Sequence, residues 1–197
     1  MAITAALVKE LRERTGAGMM DCKKALVETN ADLEAAIDLM RASGAAKAAK
    51  KAGRVASEGL VNVTISDDNK LAAILEVNSE TDFVTKGSAF IDFVEALGAL
   101  ALKNKPESVE SFLSQKLDSG ETVDEAREGI IAKIGENISV RRVQIVSTDA
   151  GILGAYKHGD RIAVLTVLSS NDAELAKDVA MHIAASRPEC VSEDQLS

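Results

Sequence analysis

An aspartate and a phenylalanine lie side by side in the polar segment Asn78–Lys86, which reads NSETDFVTK. This segment joins an apolar, strand-like run to a helical pattern, so neither a strand nor a helix obviously buries Phe83. The chain has only five aromatic residues, so one in a polar connection needs a reason. The residues alone favour a helix-entry staple, in which Phe83 packs on the helix that begins near Ser88 and Asp82 acts as an N-cap.

Residues that could support catalysis or bind a metal are not arranged in a recognisable motif. The sequence contains no GxxxxGK phosphate loop, no GxGxxG after a strand, no GxSxG and no HExxH. His158 and His182 have no second ligand in view, which favours a polar surface or partner contact over a metal site. Asp67 and Asp68 lie in a turn, where aspartate typically makes local hydrogen bonds. We therefore expect a protein that is not an enzyme and has no cofactor or metal.

The charge of the chain is unevenly distributed. The net charge is −8, yet residues 1–54 carry ten basic against seven acidic side chains, so the acidic excess follows them. Nucleic-acid binding requires clustered cations, and RNA is therefore not expected as the main partner. The basic segment Lys47–Arg54 could contact RNA, but a solvated helix face or linker is the favoured interpretation.

The two cysteines and the apolar runs bear on the compartment. Cys22 and Cys190 form no CxxC motif, so neither a disulfide framework nor a zinc site is predicted. No apolar run reaches the length of a membrane span, and charges follow the first residues too soon for a signal peptide. We expect a cytoplasmic protein without membrane contact.

Helical periodicity predicts a three-helix module at the start of the chain. Thr4 is a suitable N-cap for the first helix, and the glycines of Thr15–Gly18 end it. The second helix is predicted over Met19–Glu28 and the third over Asp32–Gly44. The Ala- and Lys-rich segment Ala45–Lys51 has high helix propensity but no large apolar residues, so it is predicted to be a helical linker.

The remainder alternates between strand and helix patterns. A β-hairpin over Gly59–Ile65 and Leu71–Val77 precedes a long helix over Ser88–Lys103, and a second hairpin within Gly151–Leu168 precedes a helix over Glu174–Pro188. Between the two hairpin-plus-helix units we predict shorter elements: helices over Ser108–Leu117 and Val123–Ile134, and a strand over Ile138–Val146.

The two hairpin-plus-helix units indicate an internal repeat. The first copy has about eight more residues between its second strand and its helix than the second copy, and these residues contain NSETDFVTK. An insertion in one copy of a repeat typically forms a surface loop. We predict an α+β fold. Its domains are a helical module (1–54), a core N-subdomain (55–140) and an incomplete core C-subdomain (141–197).

Four motifs carry a family resemblance. They are VKELRERTGAGMMDCKKAL (Val8–Leu26), TDFV (Thr81–Val84), AKIGENI (Ala132–Ile138) followed by two arginines, and MHIAAS (Met181–Ser186). In this order and spacing the chain resembles the bacterial translation elongation factor Ts family. The likeness covers essentially the whole chain, and the first two motifs are highly specific.

The resemblance implies a ubiquitin-associated-like N-terminal module and a pseudo-symmetric core of two hairpin-plus-helix subdomains. It implies a guanine nucleotide exchange factor that binds the GTPase elongation factor Tu and does not itself bind nucleotide. In this family the pair corresponding to Asp82 and Phe83 enters the partner near its switch II helix and disturbs the site of Mg²⁺, which loosens GDP. Phe83 would then be a wedge whose pocket belongs to another protein.

Further partner contacts are implied position by position, with Thr81 and Val84 flanking the Asp-Phe pair. The alternatives from the residues alone are core packing for Met19 and a helix C-cap for Gly135. The implied contacts outside the TDFV motif are Met19, Met20, Lys23, Lys51, Ile134, Gly135, His158 and Lys177.

The chain departs from the resemblance in two respects. Family members continue into a coiled-coil hairpin, the rest of the core and a C-terminal module, whereas this sequence stops at SEDQLS, which we expect to reflect a truncation or a natural fragment. Asp178 follows Lys177 where the family often has a histidine. Two rival hypotheses stay open: a passive adaptor or chaperone-like binding module, and, third, an RNA-binding protein associated with the ribosome.

Overall fold

The computed structural model describes residues 2–195 and confirms an α+β fold. The helices are α1 (Ala5–Thr15), α2 (Met19–Glu28), α3 (Leu33–Lys51), α4 (Asp82–Thr85), α5 (Ser88–Asn104), α6 (Val109–Leu113), α7 (Val123–Ile134) and α8 (Ala173–Ser186), with a 3₁₀ turn at Glu193–Gln195. The strands are β1 (Glu58–Ile65), β2 (Leu71–Ser79), β3 (Ile138–Ser147), β4 (Ile152–His158) and β5 (Ile162–Leu168).

The first two helices and the start of the third agree with the sequence prediction. The Thr4 hydroxyl accepts a hydrogen bond from the Leu7 amide, and Gly16 ends α1 in the left-handed conformation with φ of 64°. Asp32 caps α3 by accepting from the Ala35 amide at 3.0 Å. The three helices bury a common core formed by Val8, Leu11, Cys22, Ala25, Leu26, Ala36 and Ile37.

The predicted end of the third helix at Gly44 is wrong. Helix α3 continues to Lys51, and Gly44 and Ala48 are buried where α3 packs against α7. A Cβ atom at Gly44 would lie 3.8 Å from the Cβ of Ala132. The small side chains of the Ala- and Lys-rich segment therefore allow close packing of two helices. The prediction of helix for this segment is confirmed, but the segment is a packed element and not only a linker.

The first hairpin and the long helix after it are also confirmed. Strands β1, β2 and β3 form a sheet in that order, with β2 in the centre and largely buried. The turn between β1 and β2 closes with a hydrogen bond from the Ser66 amide to the Leu71 carbonyl, 2.8 Å long. Helix α6 is shorter than predicted because the chain after Leu113 turns into an isolated antiparallel bridge between Lys116 and Thr122.

The second hairpin forms a separate two-stranded antiparallel sheet. Ile152 pairs with Leu168 at one end and His158 pairs with Ile162 at the other, as the sequence predicts. Helix α8 packs on this sheet. The Thr166 hydroxyl, which is buried, donates to the Ala176 carbonyl at 2.9 Å and ties β5 to the first turn of α8.

Backbone contacts divide the chain into two compact units. The first comprises the residues up to Glu58 together with Ser79–Phe90 and Leu113–Ser139, and the second comprises Gly59–Asn78, Ile91–Phe112 and the residues from Val140 onward. The three domains proposed from the sequence, 1–54, 55–140 and 141–197, stay a prediction.

Candidate partner-binding site

The segment with the Asp-Phe pair forms the short helix α4, in which an exposed Phe83 is followed by two buried residues. Val84 and Thr85 are buried, and the Thr85 hydroxyl donates to the Asp82 carbonyl at 2.9 Å. Phe83 points away from this anchor and is 83% exposed. The staple alternative is therefore wrong, because a ring exposed to this extent does not pack on the following helix. Asp82 is not an N-cap either, since Thr81 occupies that position.

Two glutamates connect the start of α4 to the loop that follows α7. The Glu136 carboxylate accepts two hydrogen bonds from Thr81, one from the amide at 2.9 Å and one from the hydroxyl at 2.6 Å. In the opposite direction, the Glu80 carboxylate accepts from the Asn137 amide at 2.6 Å. We call these four residues, Glu80, Thr81, Glu136 and Asn137, the glutamate clasp. Each loop contributes one carboxylate and one backbone donor, so the two loops hold each other.

Further polar contacts join the glutamate clasp to the residues that follow α3. The Asn137 side-chain amide donates to the Arg54 carbonyl at 2.8 Å, and the Arg54 guanidinium lies 3.5 Å from a Glu80 oxygen. The Lys51 ammonium donates to the Gly135 carbonyl. Two of the predicted partner residues, Lys51 and Gly135, are therefore in direct contact with each other.

Gly135 has the structural role that the residues alone suggested. It ends α7 with φ of 88°, and its amide donates to the Ile131 carbonyl, which confirms the C-cap. Ile134, the last residue of α7, is half-buried. A left-handed backbone at Gly135 reverses the chain and brings Glu136 and Asn137 towards Thr81 and Glu80.

The start of α2 presents two methionines to solvent. Met19 and Met20 are 60% and 66% exposed, and Lys23 is also exposed, while the opposite face of α2 contributes Cys22 and Leu26 to the core. The interpretation of Met19 as core packing is wrong. Exposed, flexible thioether side chains are typical of surfaces that adapt to a partner.

The remaining predicted residues, His158 and Lys177, lie in the second unit. Both are exposed, His158 at the end of β4 and Lys177 on α8. The His158 ring stacks with Tyr156, the ring centroids being 6.2 Å apart, and its Nδ1 atom lies 3.2 Å from the Tyr156 hydroxyl oxygen.

The sequence reasoning missed Glu80, Glu136, Asn137 and Arg54. Glu136 is 55 residues from Thr81 and Asn137 is 57 residues from Glu80, so no periodicity links the two loops. The only available signal was a carboxylate in each loop next to a predicted site residue, which by itself indicates nothing about pairing.

Residues 2–195 contain neither a group of side chains that could hold a metal ion nor a helix that could span a membrane. No three His, Cys, Asp or Glu side chains in this range come together to hold a metal ion. None of the helices in the same range combines the length and the apolar character required to cross a bilayer. The first unit presents an exposed aromatic ring on an anchored turn, the glutamate clasp that holds the start of this turn, and a pair of exposed methionines. These are the features of a protein-binding module.

Comparison with known proteins defines the family. A family model described as elongation factor TS matches residues 80–197. Elongation factor Ts of Ruthia magnifica is 68% identical over all 197 residues, which cover 67% of that protein. The protein of the same name from Thioalkalivibrio sulfidiphilus is 57% identical with the same coverage, and that of Legionella pneumophila strain Paris is 52% identical over 98% of this chain. The chain spans about two thirds of the length of these relatives.

The chain belongs to the elongation factor Ts family. The resemblance drawn from the four motifs is thereby confirmed, and with it a role in translation elongation. The general function that follows from the family is nucleotide exchange for elongation factor Tu.

Proposed function

We propose that this chain binds elongation factor Tu, inserts Asp82 and Phe83 near its switch II and its Mg²⁺ site, and so promotes GDP release. The observation that carries this proposal is the 83% exposure of Phe83 on a helix whose neighbouring side chains, Val84 and Thr85, are buried. A phenylalanine buried in a partner is worth about 1.5–3 kcal/mol relative to an exposed one. That free energy is available to the complex because folding of the chain does not use it.

Exchange by this route is differential binding. The factor binds the nucleotide-free GTPase more tightly than the GDP-bound form, and by linkage it weakens GDP binding by the same factor by which GDP weakens its own. The chain needs no reaction chemistry for this, so it acts as a non-enzymatic factor without a cofactor of its own.

The other proposed contacts supply affinity around the Asp-Phe pair. Met19 and Met20 offer exposed apolar surface, with Lys23 one turn further along α2. Thr81 and Val84 hold the turn that carries Phe83. The Val84 side chain is buried, and Thr81 is hydrogen-bonded to Glu136. The remaining proposed contacts are Lys51, Ile134, Gly135, His158 and Lys177.

The decisive experiment is the stimulated release of a fluorescent GDP from elongation factor Tu by stopped flow. We expect Phe83→Ala to slow stimulated GDP release by an amount equivalent to about 2 kcal/mol or more, the size of an interface hot spot. The melting temperature should hardly change. Val191→Ala is a matched control, since Val191 is an apolar residue that is 94% exposed and lies outside the proposed site. It should leave both quantities unchanged.

The same measurement tests the rival class. A chain that binds elongation factor Tu without accelerating GDP release would be a passive adaptor, and the exchange proposal would be wrong. A Phe83→Ala variant with normal exchange per folded molecule would contradict the wedge. We further propose a cytoplasmic location, no direct nucleotide binding, no membrane contact and no main role in RNA binding.

A further inference from the structure

We infer that Glu136 is a positioning residue for nucleotide exchange, which acts by holding the turn that presents Phe83. This inference rests on the proposed function, and it assigns a role to a residue outside the Asp-Phe pair. Glu136 does not itself have to touch the partner. It acts through Thr81, to which its carboxylate is joined by two hydrogen bonds.

The first step of the argument is that α4 cannot hold its own shape. A helix of four residues, Asp82–Thr85, is far below the length at which an isolated helix is stable. Its N-cap residue, Thr81, makes no side-chain hydrogen bond to the helix amides. The Thr81 hydroxyl points instead to Glu136. The start of α4 is therefore held from outside the helix.

The second step is that different contacts anchor the two sides of the turn. Val84 and Thr85 are buried on the C-terminal side of Phe83, whereas the Phe83 ring itself makes little contact with its own chain. On the N-terminal side, Ser79 is buried and its hydroxyl donates to the Thr81 carbonyl at 3.1 Å, while the glutamate clasp holds the Thr81 amide and hydroxyl. Hydrogen bonds to an ionised carboxylate are shorter and stronger than those between neutral groups.

The third step is that the clasp is anchored on regular structure. Glu136 directly follows Gly135, the C-cap of α7, whose carbonyl also accepts from Lys51 at the end of α3. Helices α3 and α7 pack on each other. The hydrogen bonds to Glu136 thus fix the position of Thr81, and hence the start of α4, relative to two packed helices. A wedge fixed in this way loses less conformational freedom when it enters a pocket, which favours insertion.

The test separates the maximal exchange rate from the concentration of factor that gives half of that rate. We expect Glu136→Ala to lower the maximal rate of GDP release about tenfold, and Glu136→Gln, which keeps one carbonyl acceptor, to lower it by about threefold. Glu107→Ala removes an exposed glutamate outside the clasp and should behave like the unmodified chain. An unchanged maximal rate in Glu136→Ala would overturn the inference.

A double-mutant cycle with Phe83→Ala then identifies the route of action. If Glu136 acts through Phe83, the variant carrying both substitutions should exchange GDP no more slowly than Phe83→Ala alone. Independent, additive losses would contradict the positioning role. If Phe83→Ala impairs exchange and Glu136→Ala does not, only the positioning inference fails. If neither variant impairs exchange, the proposed function itself fails.

A spectroscopic readout distinguishes positioning from general destabilisation. Loss of the Glu136 carboxylate should accelerate hydrogen exchange at the Thr81 amide and leave the amides of the α1–α3 core protected. Acceleration throughout the first unit would show a merely structural role and would overturn the inference. Should Glu136→Ala fail to fold, Glu136→Gln is decisive by the same two measurements, and a maximal rate equal to that of the unmodified chain would refute positioning.

Discussion

The ion pair that Asp82 forms with Lys86 can be tested separately from the proposed role of Asp82 in GDP release. Its carboxylate lies 2.8 Å from the Lys86 ammonium, one turn along the chain, and both side chains are largely accessible. Exposed pairs with this spacing contribute only about 0.3–0.5 kcal/mol to stability. The Lys86 contact alone therefore gives little reason for a carboxylate to precede Phe83.

We predict that Asp82→Ala slows stimulated GDP release while the free energy of unfolding changes by no more than about 0.5 kcal/mol. Lys86→Ala breaks the same ion pair and leaves the Asp82 carboxylate in place, so it serves as the matched control. It should retain near-normal exchange. Equal losses of exchange in both variants, measured by stopped flow, would show that the ion pair matters and not the carboxylate.

At the scale of elements, the approach of α8 to its sheet depends on the absence of a side chain at Gly154. A Cβ atom at this position would collide with the backbone of Ala176, which cannot move aside as a flexible side chain would. The Thr166 hydroxyl holds the same carbonyl of Ala176 from the neighbouring strand. Helix and sheet are thus in contact through backbone atoms.

We predict that Gly154→Ala destabilises the fold by about 1–3 kcal/mol, as expected for overpacking against a rigid neighbour. Gly129→Ala is the opposite case, since Gly129 lies within α7 and an added Cβ would meet no atom within 4 Å. It should stabilise the chain by about 0.5–1 kcal/mol through better helix propensity. Urea unfolding of both variants measures the two changes, and a stable Gly154→Ala variant would disprove the close contact.

Helix α7 also carries two glutamates whose pKa values shift in opposite directions. Backbone hydrogen bonding by the Thr122 amide, 2.7 Å from a Glu125 oxygen, lowers the pKa of Glu125 as part of a complete capping box. Burial raises the pKa of Glu128, and the nearby Asp124 raises it further. A lowered carboxyl pKa stabilises the fold above the unfolded-state value and the effect is lost as pH falls, whereas a raised pKa has the opposite sign.

We predict that Glu125→Gln lowers the melting temperature at pH 7 and that Glu128→Gln raises it. Because both effects depend on ionised carboxylates, the loss in Glu125→Gln should shrink as the pH falls through the lowered folded-state pKa of Glu125. The gain in Glu128→Gln should shrink earlier, as its raised pKa is crossed. Thermal unfolding between pH 7 and pH 3 follows both changes, and shifts independent of pH would exclude the electrostatic explanation.

Local patterns predicted the elements better than they predicted the contacts between them. Caps such as Thr4 and Asp32, the hairpin turns and the helical periodicity identified the main helices and strands, because these signals lie within a few residues of each other. The continuation of α3 past Gly44 was missed because only packing against α7 explains a buried stripe of small residues. The glutamate clasp was missed because its hydrogen-bond partners are more than 50 residues apart, and local sequence patterns do not reveal contacts at that separation.

At the scale of the whole molecule, the proposed partner residues are unevenly divided between the two units. Ten of the twelve lie in the first unit, including the TDFV motif, and His158 and Lys177 lie in the second. The family resemblance implied all twelve positions, nine of them within the four motifs, but only the structure distinguishes exposed residues such as Phe83 from buried ones such as Val84. The first unit therefore carries most of the proposed interface.

The chain as a whole should not bind guanine nucleotides by itself. Its net charge is −8, which repels phosphates, and its sequence has no phosphate loop. Among residues 2–195, no group of three His, Cys, Asp or Glu side chains could hold a metal ion. We predict that titration calorimetry with GDP or GTP in the presence of Mg²⁺ shows no one-to-one complex.

Elongation factor Tu, titrated under the same conditions, is the positive control. A saturable, Mg²⁺-dependent heat with the isolated chain would mean that exchange involves direct transfer of nucleotide to the factor, and the differential-binding mechanism would have to be abandoned.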